Sequence, residues 1–378
     1  MREFDWPIAT MGLVLSAFGW GFVLAQLGTA WLTDRWGGLK VLVLAMAGWS
    51  LATIFMALPK TPLHMGVFRG LVGAFESAYV PAVAAFIVAR FQKRDVGRIY
   101  GVCLSSTSMG AVIAVPVATY VLSSQGWRMV FYLFGTVGLV WAATMYLYGS
   151  SDRPSKTKPG PTLNSRTIES VIPFRKLVQR QAVWGLALTY LPNTFTYYFV
   201  ANWMPTYLNR ARGFSLKQSG LYTTLPFFCA FLASNIVGWI VSRLEGKGWS
   251  RSLAGKAIFY VGFPGVALLL LVAGYTASPL IAVTTMSLTM GLVGGNSTSF
   301  GIIATDIAPL QVGVVTGFIT FVGAVGALLA PTVTGFLVNA TGRWEHALYL
   351  TAAINVLALL GVLTFISRNN WVKTTLPL

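Results

Sequence analysis

Eleven stretches of this chain are each long and apolar enough to cross a bilayer as a helix, because about 20 residues span a hydrocarbon core of about 30 Å. These stretches lie approximately at residues 9–33, 40–58, 63–89, 99–123, 128–149, 182–207, 217–242, 256–275, 278–304, 311–339 and 346–367. Backbone polar groups inside lipid must be hydrogen-bonded within their own segment, and the alternating pattern of barrel strands is absent. We therefore expect an all-α, polytopic membrane bundle.

Charged residues make up only 10% of the chain, where a soluble domain would have about 25%. No water-soluble domain remains between the predicted spans, and the loops are short. We expect a multi-pass protein of the bacterial inner membrane, with plasma and organellar membranes as alternatives. Cys103 and Cys229 fall within spans, and His64 and His346 are isolated. No disulfide, metal site or cofactor is therefore predicted.

The 27 Lys and Arg residues divide unequally between the two sides of the predicted membrane. Nineteen lie in one alternating set of connections and the C-terminal tail, seven lie in the opposite set, and Arg69 lies within a span. Because cytoplasmic loops are enriched in Lys and Arg, the C-terminus is predicted inside and the N-terminus outside. The net charge of +17 is explained by insertion and contact with anionic lipid, so no nucleic-acid partner is predicted.

Residues 150–181 are rich in Pro, Ser, Thr and basic residues and are predicted to form a flexible cytoplasmic linker. The linker separates an N-terminal bundle of five spans, residues 1–149, from a C-terminal bundle of six, residues 182–378. Transporters are commonly built from matched repeats, so two halves of six spans would be expected. One helix is therefore expected to be missing from an incomplete start of the chain.

Arg69 and Glu76 are ionisable residues in the middle of the third apolar stretch, seven residues apart. A charge near the centre of a membrane helix costs on the order of 2.5 to 3.5 kcal/mol, so it normally faces a partner or a polar cavity. Seven helical steps bring both side chains to one face, about 10.5 Å apart along the axis. They form either a structural pair satisfied by neighbouring helices or a transport site for an anionic solute and a proton.

Residues 34–40 follow the first span and read DRWGGLK. This sequence resembles the signature loop of the major facilitator superfamily between its second and third helices, although Ala30 stands where that family usually has Gly. The resemblance implies the major facilitator fold, with the first of the usual twelve helices missing. It also implies that a set of residues controls which conformation the two bundles adopt: Asp34, Arg35, Gly37, Arg94 and Arg98.

Residues 69–76, RGLVGAFE, together with Pro81, GWR at 126–128 and WMPTYL at 203–208, resemble the anion:cation symporter family of that superfamily. This family includes sugar-acid transporters, sialin and the vesicular glutamate transporters. The resemblance implies that Arg69 attracts an anionic substrate and that Glu76 binds the coupling proton. Removal from water favours a protonated carboxyl and a nearby guanidinium favours a charged one, so an anion at Arg69 would make Glu76 easier to protonate.

Neutral polar side chains supply further candidates for substrate contact, because pockets orient hydroxylated solutes through a few donors and acceptors. The candidates are Gln26, Asn193, Tyr197, Tyr198, Asn296 and Thr320, with Thr194, Asn202, Ser297 and Thr298 beside them. Hydrogen bonding between helices explains the same residues nearly as well. Asn193 aligns near an arginine of the vesicular glutamate transporters, and Leu15 stands where they have a histidine. These differences favour a singly charged, hydroxylated carboxylate over a dicarboxylate.

The expected function is proton-coupled symport of a small organic anion by alternating access, in a monomer surrounded by membrane lipid. An exchanger or exporter with the same fold is an alternative, because the sequence does not set the direction of flux. A non-transporting membrane sensor is another. The sequence contains no nucleophile–base set, metal-ligand cluster or Walker loop, so neither an enzyme nor an ATP-driven transporter is expected.

Overall fold

The computed structural model describes residues 6–91, 93–151, 180–307 and 312–366, and within these ranges it contains helices and no strand. The helices are α1 (Ile8–Trp36), α2 (Gly38–Phe55), α3 (Pro62–Glu76), α4 (Tyr79–Arg90), α5 (Lys93–Gln125), α6 (Trp127–Ser151), α7 (Gln181–Arg212), α8 (Leu216–Tyr222), α9 (Thr224–Gly246), α10 (Arg251–Tyr275), α11 (Pro279–Ile307), α12 (Val312–Thr341) and α13 (Trp344–Gly361). A π-helical turn, Val362–Ile366, continues α13.

Each of the eleven predicted spans coincides with one helix or with two consecutive helices. Nine segments of the described chain satisfy both the length and the hydropathy expected of a membrane span. The two predicted spans outside this set are α7 and α11, with 32 and 29 residues. At 1.5 Å per residue both exceed the thickness of a hydrocarbon core, and their polar residues lower their hydropathy. The predicted all-α membrane fold is confirmed.

The chain divides into two compact units, which are described separately. Unit 1 comprises residues 1–164, 214–224 and 328–342, and unit 2 comprises residues 165–213, 225–327 and 343–378. Most of the predicted linker, residues 152–179, lies outside the described residues. The division into bundles at 1–149 and 182–378 therefore stays a prediction.

In unit 1, α1 packs along α3 because glycines let the two backbones approach closely. A Cβ added to Gly21 would lie 2.7 Å from the carbonyl carbon of Gly70, and one added to Gly73 would lie 2.9 Å from that of Phe18. Membrane helices rely on such small residues, because surrounding lipid is as apolar as the side chains and gives no hydrophobic drive for association. Close packing therefore accounts for Gly21 of α1 and Gly73 of α3.

The turn between α1 and α2 contains two glycines that have different structural roles. Gly37 adopts a φ of 83°, a left-handed conformation that glycine takes without steric cost. Its N–H donates to the Thr33 carbonyl at 2.9 Å and ends α1. Gly38 is buried, and a Cβ added to it would lie 2.5 Å from the backbone nitrogen of Phe86. The turn thus brings the start of α2 against the backbone of α4.

The core of unit 2 is built from α7, α10, α11, α12 and α13. Phe259 and Phe263 of α10 are fully buried, and the Phe259 ring lies 4.5 Å from that of Phe300 in α11, between centroids. Val183 and Leu186 of α7 belong to the same cluster and are also fully buried. This apolar core holds the polar residues of α7 at fixed positions.

The WMPTYL segment lies at the C-terminal end of α7 and packs against the start of α13. Trp203 and Tyr207, one turn apart, have ring centroids 5.7 and 6.0 Å from that of Trp344. Arg212 donates from Nε to the Tyr207 hydroxyl at 2.7 Å and from Nη2 to the Ala273 carbonyl at 3.0 Å. The segment therefore ties α7 to α10 and α13, a packing role within unit 2.

We expect Gly73→Ala to destabilise the protein by about 2 kcal/mol, because the added methyl overpacks the contact with α1. Thermal unfolding of the detergent-solubilised protein measures this loss. Gly28→Ala in α1 is the matched control, because a Cβ there would meet nothing within 4 Å and alanine favours helix. Equal unfolding temperatures for the two variants would contradict the packing of α1 on α3.

Candidate functional site

Arg69 lies in the middle of α3, and its guanidinium is partly buried. Its Nε donates to the backbone carbonyl of Leu15 in α1, at 3.3 Å. A carbonyl accepts the N–H without neutralising the positive charge, and a guanidinium has five N–H donors. The contact therefore orients Arg69 against α1 and preserves its net charge, which suits the group to attracting an anion.

Glu76 is the last residue of α3, at a break in the predicted third span. Pro81 explains the break, because proline has no N–H to donate to the Ser77 carbonyl four residues earlier. Ser77 and Ala78 form a turn, and α4 starts at Tyr79. Transporters commonly place substrate and ion sites at such interruptions of a membrane helix.

The Glu76 side chain is exposed. Arg69 and Glu76 lie on one face of α3, about 10.5 Å apart along the axis, because seven residues complete nearly two turns. The structure thus places both predicted charged residues on one helix, with the cation held on a neutral carbonyl and the carboxyl accessible.

A polar side chain of α1 contacts the helix break that follows Glu76. Thr29 Oγ1 and Ser77 Oγ are 3.1 Å apart and share a hydrogen bond between α1 and the turn. Gln26 lies one turn earlier in α1, and its Oε1 is buried with no hydrogen-bond partner among the described residues. A buried amide oxygen without a donor is costly in protein interiors, so Gln26 is suited to receive a donor from a bound solute.

The predicted conformational residues lie at and after the DRWGGLK turn. The side chains of Asp34, Arg94 and Arg98 are outside what the structure describes. Arg35 is exposed, and its guanidinium carbon lies 5.3 Å from the centroid of the Trp31 ring. Gly37 forms the positive-φ turn described above. The gating roles of all five residues stay predictions.

In unit 2, Asn193 connects α7 to α11. Its Nδ2 donates to Ser297 Oγ at 2.9 Å, and Ser297 in turn donates to the Val293 carbonyl. Asn193 is 1% exposed whereas Ser297 is exposed, so the pair runs from the interior to an open face. Asn193 Oδ1 is buried without a partner in the described part of the chain.

Asn296, the neighbour of Ser297, faces a different direction and is 0% exposed. An added Cβ on Gly262 of α10 would lie 2.9 Å from Asn296 Nδ2, so that glycine makes room for the amide. Neither side-chain atom has a hydrogen-bond partner among the described residues. The structure therefore places Asn296 and Ser297 on different faces of α11, and contact of Asn296 with substrate stays a prediction.

The other candidates of unit 2 contact aromatic rings or carbonyls of their own helix. Tyr197 and Tyr198 are half-buried, with ring centroids 5.4 Å apart, and the Tyr197 ring lies 6.3 Å from that of Phe227. Thr320 donates to the Thr316 and Gly317 carbonyls of its own helix. Their contact with substrate also stays a prediction.

Sequence reasoning missed Thr29 and Ser77 as partners in the site. The signal was present in part, because Pro81 stands four residues after Ser77 and predicts an unpaired carbonyl next to Glu76. No pattern in the sequence indicated that Thr29, 48 residues away, would meet this turn.

The sequence and the fold of this chain are both similar to those of known membrane transporters. The family model of the Major Facilitator Superfamily matches residues 1–331. The chain resembles "Probable anion transporter 4, chloroplastic" of Oryza sativa subsp. japonica, with 32% identity over 300 residues that cover 76% of this chain. This chain spans only 51% of the length of that relative.

Two further relatives match nearly the whole chain. The "Voltage-gated purine nucleotide uniporter SLC17A9" of Mus musculus is 26% identical, over 96% of this chain and 83% of its own length. The "D-galactonate transporter" of Escherichia coli O6:H1 is also 26% identical, over 97% of this chain and 88% of its own length.

Among solved structures, a bacterial homolog of the human lysosomal transporter Spinster superposes with a TM-score of 0.78 at 18% identity. The alignment covers 96% of this chain and 90% of that one. At this identity the likeness shows the fold alone, and the fold agrees with the helices described here. The family match over residues 1–331, together with this architecture, shows that the chain is a multi-span membrane protein of the Major Facilitator Superfamily.

Proposed function

We propose that this protein is a secondary transporter that carries a small organic anion together with a proton by alternating access. The observation that carries the proposal is the pairing of Arg69 and Glu76 on one face of α3, with Glu76 at the helix break. Ionisable groups inside membrane spans are expensive and usually mark ion or substrate paths. A cation and a carboxyl on one face of a membrane helix provide the minimal chemistry for coupling an anion to a proton.

The coupling follows from the charges of the two groups. Without substrate, the Arg69 charge favours the ionised form of Glu76. A bound anion at Arg69 cancels that influence, so protonation of Glu76 becomes easier, and by reciprocity a protonated Glu76 strengthens anion binding. The loaded site then carries one anion, one cation and a neutral carboxyl, so little net charge crosses the bilayer core.

The proposed substrate is a hydroxylated monocarboxylate such as a sugar acid. Arg69 supplies one fixed cation, and in the same unit Gln26 has a buried amide oxygen that needs a donor. Carboxylates have no donors when ionised, so hydroxyl groups on the solute would have to supply them. The names of the relatives support this class, since they include anion and D-galactonate transporters. The bacterial inner membrane remains the proposed location.

Uniport or exchange of an organic anion is the second candidate. The relative that is named a voltage-gated nucleotide uniporter matches 96% of this chain, so the same fold and length are compatible with transport that is not driven by protons. In that case the charge of Glu76 would modulate the affinity of Arg69 for the anion, and Glu76 would not release a proton in each transport cycle.

We expect proteoliposomes containing the full chain to accumulate labelled galactonate, or another hydroxylated monocarboxylate from a panel, when the interior is alkaline. When the pH gradient is dissipated, the labelled anion should only equilibrate across the membrane. Removal of sodium from the buffer should leave accumulation of the anion unchanged. Accumulation that follows membrane voltage and ignores the pH gradient would favour uniport. Equilibrium binding without any uptake of the panel would favour a sensor and contradict transport.

Arg69→Gln should raise the KM for the anion by about 10- to 100-fold, because a charge-assisted hydrogen bond contributes about 1.5 to 3 kcal/mol. Arg69→Lys is the matched variant that keeps the charge, and it should lose less. A smaller effect of the glutamine variant than of the lysine variant would contradict the role of the Arg69 charge.

Glu76→Gln should abolish gradient-driven accumulation while anion exchange across the membrane continues, because the amide mimics a permanently protonated carboxyl. Initial rates of uptake and of exchange, measured in the same liposomes, separate the two effects. Unchanged proton-driven accumulation by this variant would remove Glu76 from the coupling mechanism.

A further inference from the structure

The hydroxyl pair Thr29–Ser77 joins α1 to the turn that follows Glu76. Thr29 Oγ1 and Ser77 Oγ are 3.1 Å apart, and either can be the donor. Ser77 is 1% exposed and Thr29 is half-buried, so the contact lies largely inside unit 1, while the adjacent Glu76 is exposed. Ser77, at the helix break, is thus hydrogen-bonded to α1 and is the residue directly after Glu76.

Each hydroxyl also has a backbone acceptor on its own side of the contact. Thr29 Oγ1 lies 3.1 Å from the Gln26 carbonyl, and Ser77 Oγ lies 2.7 Å from the Ala74 carbonyl. Two hydroxyls have only two protons for these three contacts, so the bond between the helices competes with a bond inside one helix. If the helices separate here, both protons keep an acceptor, and no buried donor is left unpaired.

This arrangement differs from that of an ordinary structural hydrogen bond, because loss of an ordinary bond leaves a buried donor without an acceptor. The contact can open at small cost, and it sits where Pro81 has already removed the helical bond of the Ser77 carbonyl. A segment that has two satisfied arrangements can change position during a transport cycle, whereas a fully bonded helix resists such a change.

We infer that Thr29 and Ser77 are positioning residues for Glu76: their shared hydrogen bond holds the carboxyl in its proton-accepting position, and its opening lets the carboxyl move when the proton is bound. The inference rests on the proposed proton-coupled function. Substrate affinity lies elsewhere, because Arg69 is held separately on the Leu15 carbonyl.

The electrostatic surroundings of Glu76 fit this assignment. At this level α1 presents the neutral side chains of Gln26 and Thr29, and Arg69 is the charged residue on the same face of α3 as Glu76. The other charged residues of the helices packed around it lie near one end of each helix: Asp34 and Arg35 of α1, Lys40 of α2, Arg90 of α4 and those of α5 at 93–98. Changing Thr29 or Ser77 therefore alters the position of the carboxyl without removing a charge.

The test uses Thr29→Val and Ser77→Ala in proteoliposomes that contain the full chain, with labelled galactonate or the best solute of the panel. We expect the maximal rate of proton-driven uptake to fall about tenfold and the pH profile of uptake to move by about half a unit or more, with KM for the anion changed less than about twofold. Thr29→Ser keeps the hydroxyl and should restore both the rate and the profile.

Thr33→Val is the matched control, because Thr33 is another buried hydroxyl of α1 and donates to the Thr29 carbonyl in its own helix. It should keep the pH profile of the unchanged protein. Anion exchange at equal acidic pH on both sides should also persist in Thr29→Val, since Glu76 then carries a proton in every arrangement.

Two results would overturn the inference. An unchanged pH profile in both Thr29→Val and Ser77→Ala, in liposomes that transport the anion, would show that the pair does not position the carboxyl. Loss of acidic exchange in parallel with driven uptake would show a general structural role. Absence of uptake by the unchanged protein is a different outcome, because it would contradict the proposed function itself.

Discussion

The cost of keeping a charge away from water governs the arrangement of unit 1. Arg69 and Glu76 lie in a span whose other residues are mostly apolar, so each must find a polar environment. Arg69 does so on the Leu15 carbonyl, which is available because Gly21 and Gly73 let α1 and α3 approach closely. The close packing and the charged site therefore depend on each other.

The break between α3 and α4 illustrates how a membrane helix accommodates an unpaired backbone carbonyl. Pro81 removes one donor, and the chain responds with a turn at Ser77 and Ala78 whose N–H groups bond to the Gly73 and Phe75 carbonyls. The Ser77 hydroxyl then bonds within its helix and to Thr29. The result is an interruption with alternative hydrogen bonds at the position of the one carboxyl in this span.

Unit 2 connects its helices through neutral polar side chains. Asn193 and Ser297 join α7 to α11, and Asn355 of α13 donates to Thr196 at 2.7 Å. Each asparagine keeps one buried oxygen without a partner among the described residues. These amides both connect helices and leave acceptor capacity, so helix packing and solute recognition, which looked like alternatives in the sequence, are compatible in one residue.

The sequence by itself determined the class of this protein, its spans and the common face of Arg69 and Glu76. These features depend on local rules, namely apolar length and helical period. Gly37 and Gly38 were recognisable as a motif, although only the structure separates the positive φ of one from the close approach of the other.

Only the tertiary structure decided which polar residues meet. Asn296 and Ser297 are neighbours in sequence, yet the first faces Gly262 and the second faces Asn193, because consecutive residues of a helix point about 100° apart and packing sets the rotation of α11. Thr29 and Ser77 meet across 48 residues for the same reason. Such contacts depend on how helices are rotated and shifted against one another, and apolar patterns in a bilayer constrain that rotation weakly, since lipid and protein interior are similarly apolar.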